Sequence, residues 1–194
     1  MNLSAPLTAT VRVGLFSFII IGLVTLVYHA SKDKIAENEY LALLHSLHEV
    51  ISESRYDNDL VHDVIQLQGH TIYRARKAGK PVAAVIQSTT THGYNGDIDL
   101  LTAVNLDGSI SGVRVLNHRE TPGLGDKIEL KKSDWILSFR QKTLAENDLS
   151  LWAVKRDGGS FDQFTGATIT PRAVVNEVRK TALFFQNNQQ IIFE

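Results

Sequence analysis

The sequence predicts an α+β fold: a single domain of short antiparallel strands with flanking helices, placed after one N-terminal transmembrane helix. Three observations carry this. The eighteen residues Val13–Ala30 contain no formal charge. Beyond them, short runs rich in β-branched residues alternate with turn pairs such as Ala78-Gly79 and Asp107-Gly108. At both ends of that region, apolar residues recur at helical spacing. The expected division is a short tail over 1–12, a transmembrane helix over 13–30 and one domain over 31–194.

Composition narrows the functional classes. With 43% hydrophobic residues the chain has material for a core, and a formal net charge of −1 leaves no basic field to hold a polyanion. Nucleic acid is therefore not an expected partner. Cysteine is absent, which removes disulfides, thiolate metal sites, iron–sulfur ligation and cysteine nucleophiles together. If the protein handles electrons, an organic cofactor carries them, or haem held by histidine and methionine.

The charge-free run spans about 27 Å as a helix, close to the ~30 Å hydrocarbon core of a bilayer. Large apolar residues from Phe16 to Val27 cover every face, unlike an amphipathic surface helix, and Tyr28 lies where an aromatic belt would place it. Run length favours a retained anchor over a cleaved signal peptide. Arg12 on one side and Lys32 and Lys34 on the other, offset by Asp33 and Glu37, leave the positive-inside rule nearly silent. The very short N-terminal tail favours an external domain.

Downstream, Asp33 to about Ser54 reads as a helix, with Ile35, Leu43, Leu44, Leu47, Val50 and Ile51 on one stripe. Thr71–Arg76 and Pro81–Ser88 flank Lys77-Ala78-Gly79-Lys80 as a hairpin, and Ile98–Asn105 and Gly112–Asn117 flank Asp107-Gly108 as another. The run Val82–Ile86 predicts a strand covered on both faces. Glu120–Asp126 is a glycine-rich loop. Asp134–Phe139 reads as helical, with Trp135 as core, Trp152-Ala153-Val154 as a last strand, and Pro171 to about Phe185 as a closing helix.

Several chemistries leave no trace. Phosphate-loop, dinucleotide and esterase-elbow patterns are missing. His45 and His48 with Glu49 share a helix face but have no third ligand at useful spacing, so no metal site is expected, and no catalytic residue either.

The informative stretch is Asp162–Arg172. Thr170 is a favoured N-cap type, Pro171 suits a first helical position, and Val174, Val178, Ala182 and Phe185 form an inward stripe. An ordinary capped amphipathic helix accounts for all of this. The same geometry would also favour a phosphate on Thr170, beside first-turn amides and the positive end of the helix, with Arg172 as counter-charge and Gly166 and Ala167 leaving room.

Thr165-Gly166-Ala167-Thr168-Ile169-Thr170 resembles the flavinylation motif of the FMN-binding subunits of bacterial Rnf and sodium-pumping NADH:quinone oxidoreductase complexes. Gly93-Tyr94-Asn95-Gly96-Asp97-Ile98 resembles that family's GYxGxI strand entry, and Glu120–Gly125 its ETPGLG loop. Asp162 matches an upstream acidic position. The likeness spans nearly the whole chain and is closer to the G subunits of Rnf (Rsx) complexes than to the C subunits of the quinone reductase. Asp97 stands where the family often has proline, and Thr165 where serine is commoner.

The resemblance implies an electron-transfer subunit of a membrane-bound ion-translocating ferredoxin/NAD oxidoreductase complex, without substrate chemistry of its own. It implies FMN attached covalently to Thr170 by a phosphoester, installed from FAD by a flavin transferase with Mg²⁺. Asp162, Thr165, Gly166, Ala167 and Thr168 would serve transferase recognition and backbone packing. Tyr94, Glu120, Thr121, Gly123, Leu124 and Gly125 would line the ring, with Leu124 over one face. The other subunits of the complex are the implied partners, and the bacterial inner membrane is the implied location, single-pass with the domain in the periplasm. The alternative is a membrane-anchored FMN-binding sensory or assembly module in which no electrons flow.

Overall fold

The computed structural model describes residues 5–144 and 146–194, so the first four residues of the expected 1–12 tail lie outside it. The chain forms two compact units, Met1–Ala42 and Leu43–Glu194. Helix α1 runs Ala5–Val50 over 46 residues, through the charge-free run and onward. The apolar run and the helix read from Asp33 belong to one continuous element, and Ser31, Lys32 and Asp33 include no helix breaker. Within α1, an eighteen-residue window reaches a mean hydropathy of 2.2 with none of it buried. Length and composition fit a single-pass membrane anchor.

The second unit is built on a five-stranded antiparallel meander in the order β1-β2-β3-β4-β5. The strands are β1 Val64–Leu67, β2 His70–Lys77, β3 Lys80–Thr90, β4 Ile98–Asn105 and β5 Ile110–Asn117. Both expected hairpins form. In the first, Lys77 pairs with Lys80 while Ala78 (φ 50°) and Gly79 (φ 74°) both sit in the left-handed region, matching a primed two-residue turn. In the second, Asp107 Oδ1 accepts from the Ser109 amide at 2.9 Å and Gly108 takes φ 80°. Strand β1 was not expected; it joins β2 through Gln68-Gly69, with Leu67 opposite His70.

Strand β3 is covered on both sides, as its apolar run predicts. Ile72, Ala84, Ile86, Leu100 and Val104 face helix α2 (Ile169–Phe193). Tyr73, Ala75, Ala83, Val85, Leu101 and Ala103 face Leu47, Val50, Ile51 and Leu60. The inward stripe Val174, Val178, Ala182 and Phe185 is fully buried, each large side chain worth about 1.5–3 kcal/mol in transfer free energy. Gly112 on β5 lets the end of α1 pass close by, since a Cβ there would stand 2.8 Å from the Val50 carbonyl oxygen.

Between β5 and α2 the chain runs through loops and 3₁₀ turns. Asp134–Phe139 is helical as expected, though of the tighter 3₁₀ kind. Trp152-Ala153-Val154 is not a strand: Val154 makes only an isolated bridge to Phe161. The reason is packing. Trp152 joins Trp135, Phe139, Phe161 and Phe164 in an edge-to-face and tilted aromatic cluster, so its side chain is buried by rings rather than by a sheet ladder. Trp135 is core, as predicted, and its indole N–H donates to the Asp162 carbonyl at 2.8 Å.

Candidate functional site

Three loops meet at the start of α2. The first is the Gly93–Asp97 turn that leads into β4. The second is Glu120–Gly125, which follows β5. The third is Phe164–Thr168, which enters α2. Their positions follow from tight turns: Gly123 (φ 78°) closes a turn in which the Leu124 and Gly125 amides donate to the Thr121 carbonyl at 3.1 and 3.0 Å. Gly166 (φ 79°) closes another, with the Ala167 amide on the Phe164 carbonyl at 3.1 Å.

Thr170 is not the N-cap. Thr168 occupies that position without a side-chain capping bond, and Thr170 lies inside the first turn of the helix. Ile169 already has helical geometry, which moves the helix start back. Thr170 is 1% exposed, and its hydroxyl donates to Oε2 of Glu120, itself only 4% exposed. Glu120 is held from three sides. Its Oε1 accepts from the Asn95 amide at 3.0 Å, and its own amide donates to His118 Nδ1 at 3.0 Å. Because Nδ1 accepts, the His118 proton sits on Nε2, 2.8 Å from Glu129. The Asn95 side chain also donates to Thr121 Oγ1 at 3.1 Å, tying the first loop to the second.

Gly125 makes the third side of this cradle. A Cβ there would lie 2.9 Å from Thr170 Oγ1 and 3.0 Å from Glu120 Oε2, and one on Gly93 would lie 2.9 Å from Glu120 Oε1. Glycine is thus required by close approach at both positions.

Above Thr170 opens a cleft of about 550 Å³. Of the residues singled out in the sequence, the structure brings Tyr94, Glu120, Thr121, Leu124, Gly125, Gly166, Ala167, Thr168 and Thr170 to its walls and floor. Exposed apolar groups ring the mouth: Tyr94 is 66% exposed, Leu124 43% and Ile169 44%. Gly123 shapes the loop without lining the cleft. Thr165 and Asp162 stand outside it, exposed, and the Asp162 carboxylate pairs with Lys155 at 2.5 Å.

Two lining residues escaped the sequence reading, Ile169 and Arg156. Arg156 is the cation at the cleft. Arg172 is engaged elsewhere, donating to Asp157 through Nε at 2.6 Å and through its terminal nitrogen at 2.9 Å. That guanidinium lowers the Asp157 carboxyl below its ordinary value, and the carboxylate raises Arg172 in turn. No local signal marks Arg156, because its role comes from the turn that follows Val154. His48 and Glu49 are likewise engaged, with Tyr56 at 2.6 Å and Arg114 at 3.6 Å.

The cleft suits a flat, partly apolar ligand with an anionic end. Its volume falls within the ~300–1,000 Å³ range of small-molecule sites, its mouth is apolar, and its floor is hydroxyl, carboxylate and first-turn backbone. Residues 93–182 match the family model of the FMN-binding domain, which contains all three loops, and residues 3–50 match that of the RnfG N-terminal region. An α+β FMN-binding domain on an apolar helix is therefore the class. Among curated relatives, the G subunit of an ion-translocating oxidoreductase complex from Pseudoalteromonas atlantica is 47% identical over 188 residues, covering 92% of this chain and 87% of the relative. Counterparts of the same name from Shewanella amazonensis and Photorhabdus laumondii are 47% and 46% identical, covering 90% and 91% of this chain and 85% and 88% of theirs. The chain belongs to the family of G subunits of ion-translocating oxidoreductase complexes.

Proposed function

We propose that this protein is an electron-transfer subunit of a membrane-bound ion-translocating ferredoxin/NAD oxidoreductase complex, and that it carries FMN covalently through a phosphoester to Thr170. One observation carries the reading. The hydroxyl of the flavinylation-like motif lies at the floor of a cleft whose walls are the other two motif loops. When bound, the flavin supplies the redox chemistry; the protein's residues bind, orient and shield it.

The chain's own contributions follow from geometry. Tyr94, Leu124 and Ile169 offer apolar and aromatic surface to a ring at the mouth. Arg156 supplies positive charge and the first turn of α2 a favourable field for phosphate. The two glycines let backbone close on the attachment point. A covalent tether suits a compartment without free FMN, consistent with a domain in the periplasm and an anchor in the bacterial inner membrane. Partners on this reading are the other subunits of the complex and, for maturation, a flavin transferase.

Co-expression with a flavin transferase, followed by a denaturing gel viewed under ultraviolet light, tests the attachment. A fluorescent band that disappears in Thr170→Val is the expected result; a band that persists in that variant overturns it. Copurification with other subunits of the complex, rather than with signalling partners, separates a carrier from a sensory or assembly module. Protease accessibility in spheroplasts tests the orientation.

A further inference from the structure

The bond between Thr170 and Glu120 joins the attachment hydroxyl to a carboxylate that has no cationic partner within ion-pair distance among the described residues. Glu120 is buried, oriented through Oε1 by the Asn95 amide, and among the described residues leaves Oε2 to the hydroxyl alone. A threonine buried for packing needs no carboxyl group at its hydroxyl, yet here one is held in place to accept from it. The cradle is also built tightly, with glycine at both places where a side chain would push the carboxylate aside.

We propose that Glu120 is the proton acceptor for flavin loading on this chain, an inference that rests on Thr170 being the attachment point. In the transfer, Thr170 Oγ1 forms a bond to the phosphorus of the FMN half of a flavin adenine dinucleotide held by the transferase. The bond from that phosphorus to the bridging oxygen breaks, and AMP leaves with that oxygen. The hydroxyl proton passes to Glu120 Oε2, and no electrons change hands. Charge is conserved: the flavin phosphate stays monoanionic in the new diester, the acid becomes neutral, and AMP leaves as the dianion. Protonation also removes the repulsion that an ionised carboxylate would exert on the new phosphate at hydrogen-bond distance. The protonated acid then has a hydrogen to donate to the ester it helped to form.

The test uses the full chain, purified unloaded in detergent, with a flavin transferase, flavin adenine dinucleotide and Mg²⁺. Covalent incorporation is read by in-gel fluorescence and intact mass. Glu120→Gln keeps the shape, accepts from the Asn95 amide and can donate to Thr170, but takes no proton. Its loading rate should fall by about 10²–10⁴, the usual range for a positioned base, while its melting curve stays cooperative. Glu120→Ala should load as poorly, and added formate, a small carboxylate, should restore part of the rate. A structural role would not respond to formate.

Loading of Glu120→Gln within threefold of the unsubstituted chain overturns the proposal, as does Glu120→Ala that is slow but indifferent to formate. Should Glu120→Gln fail to fold, the formate response of Glu120→Ala decides alone, and an unfolded Glu120→Ala that no formate refolds or loads counts against it. Thr170→Val separates the two readings. If that variant loads, the attachment point itself is wrong. If it does not load but Glu120→Gln does, only the proton acceptor is wrong.

Discussion

Replacing Gly125 by alanine adds one methyl group beside the buried Thr170–Glu120 hydrogen bond. The backbone there is not in the left-handed region, so the effect comes from contact alone. The new Cβ would stand 2.9 Å from Thr170 Oγ1 and 3.0 Å from Glu120 Cβ and Oε2, where ordinary contact begins near 3.4 Å. Each neighbour must therefore retreat by 0.4–0.5 Å, the difference between those values. Both partners of the buried hydrogen bond are displaced at once. Overpacking costs about 1–3 kcal/mol, and a buried donor or acceptor left unmatched about 1–3 kcal/mol. With some relaxation shared between the two, the loss is ~2–4 kcal/mol. For a unit of the size of Leu43–Glu194 that lowers the melting temperature by roughly 4–16 °C. Calorimetry on the unloaded protein in detergent measures the shift, and transferase loading of the same sample measures the site. A variant that melts within 1 °C of the parent and loads at the parental rate would refute the close-packed cradle.

Phe139→Ala should cost about 3–5 kcal/mol, because Phe139 is fully buried between Trp152, Phe161 and Trp135; thermal melts check it. Gly112→Ala should destabilise by about 1–3 kcal/mol, since its Cβ meets Val50 backbone that cannot rotate away, and an unchanged melt would contradict that contact. Arg156→Ala should slow loading by up to about fivefold, as expected for an exposed charge, whereas Arg172→Ala should leave the loading rate unchanged. Acid should reveal the Asp157–Arg172 pair. The Asp157 carboxyl is lowered from 3.8 by the hydrogen bond from Arg172, so the unfolded chain takes up the proton first. Its stabilisation is present above that ordinary value and lost as pH falls through the lowered native one. Melts of Asp157→Asn should show a shallower loss of stability over that range, and identical acid slopes would argue against the pair.

What could be read from the residues was whatever local chemistry decides. The hairpins at Ala78-Gly79 and Asp107-Gly108 were legible because each turn needs a left-handed residue that glycine supplies, and β3 because its apolar run admits little else. Strand β1 escaped notice because it is four residues long and turns through Gln68, a residue seldom found at φ 49°. The apparent strand at Trp152–Val154 failed because aromatic burial was mistaken for strand pattern. The helix start moved from Thr170 to Thr168, a shift that capping preferences cannot resolve when the next residue is an ordinary isoleucine. The motif residues marked the cleft, but the bond that defines its floor spans fifty positions, from Glu120 to Thr170. Nothing local in the sequence encodes such a contact. The same holds for Arg156 and Arg172, whose roles are exchanged by the placement of Asp157.

On the proposed attachment, the concealment of Thr170 bears on when the flavin can arrive. An enzyme that must reach a hydroxyl with 1% exposure finds it only during an excursion that uncovers the cleft floor while Glu120 stays bonded to that hydroxyl. Each ~1.4 kcal/mol needed for that excursion divides the loading rate by ten. A nascent chain that has not yet folded pays no such penalty, but it has not brought Glu120 from fifty positions away onto Thr170, so on this reading loading follows folding. Once such an ester is made and the cleft floor is covered again, water meets the same barrier that delayed the transferase. A closed door that slows loading therefore prolongs the life of the bond, and the cofactor's retention becomes a property of the protein's breathing rather than of the ester alone.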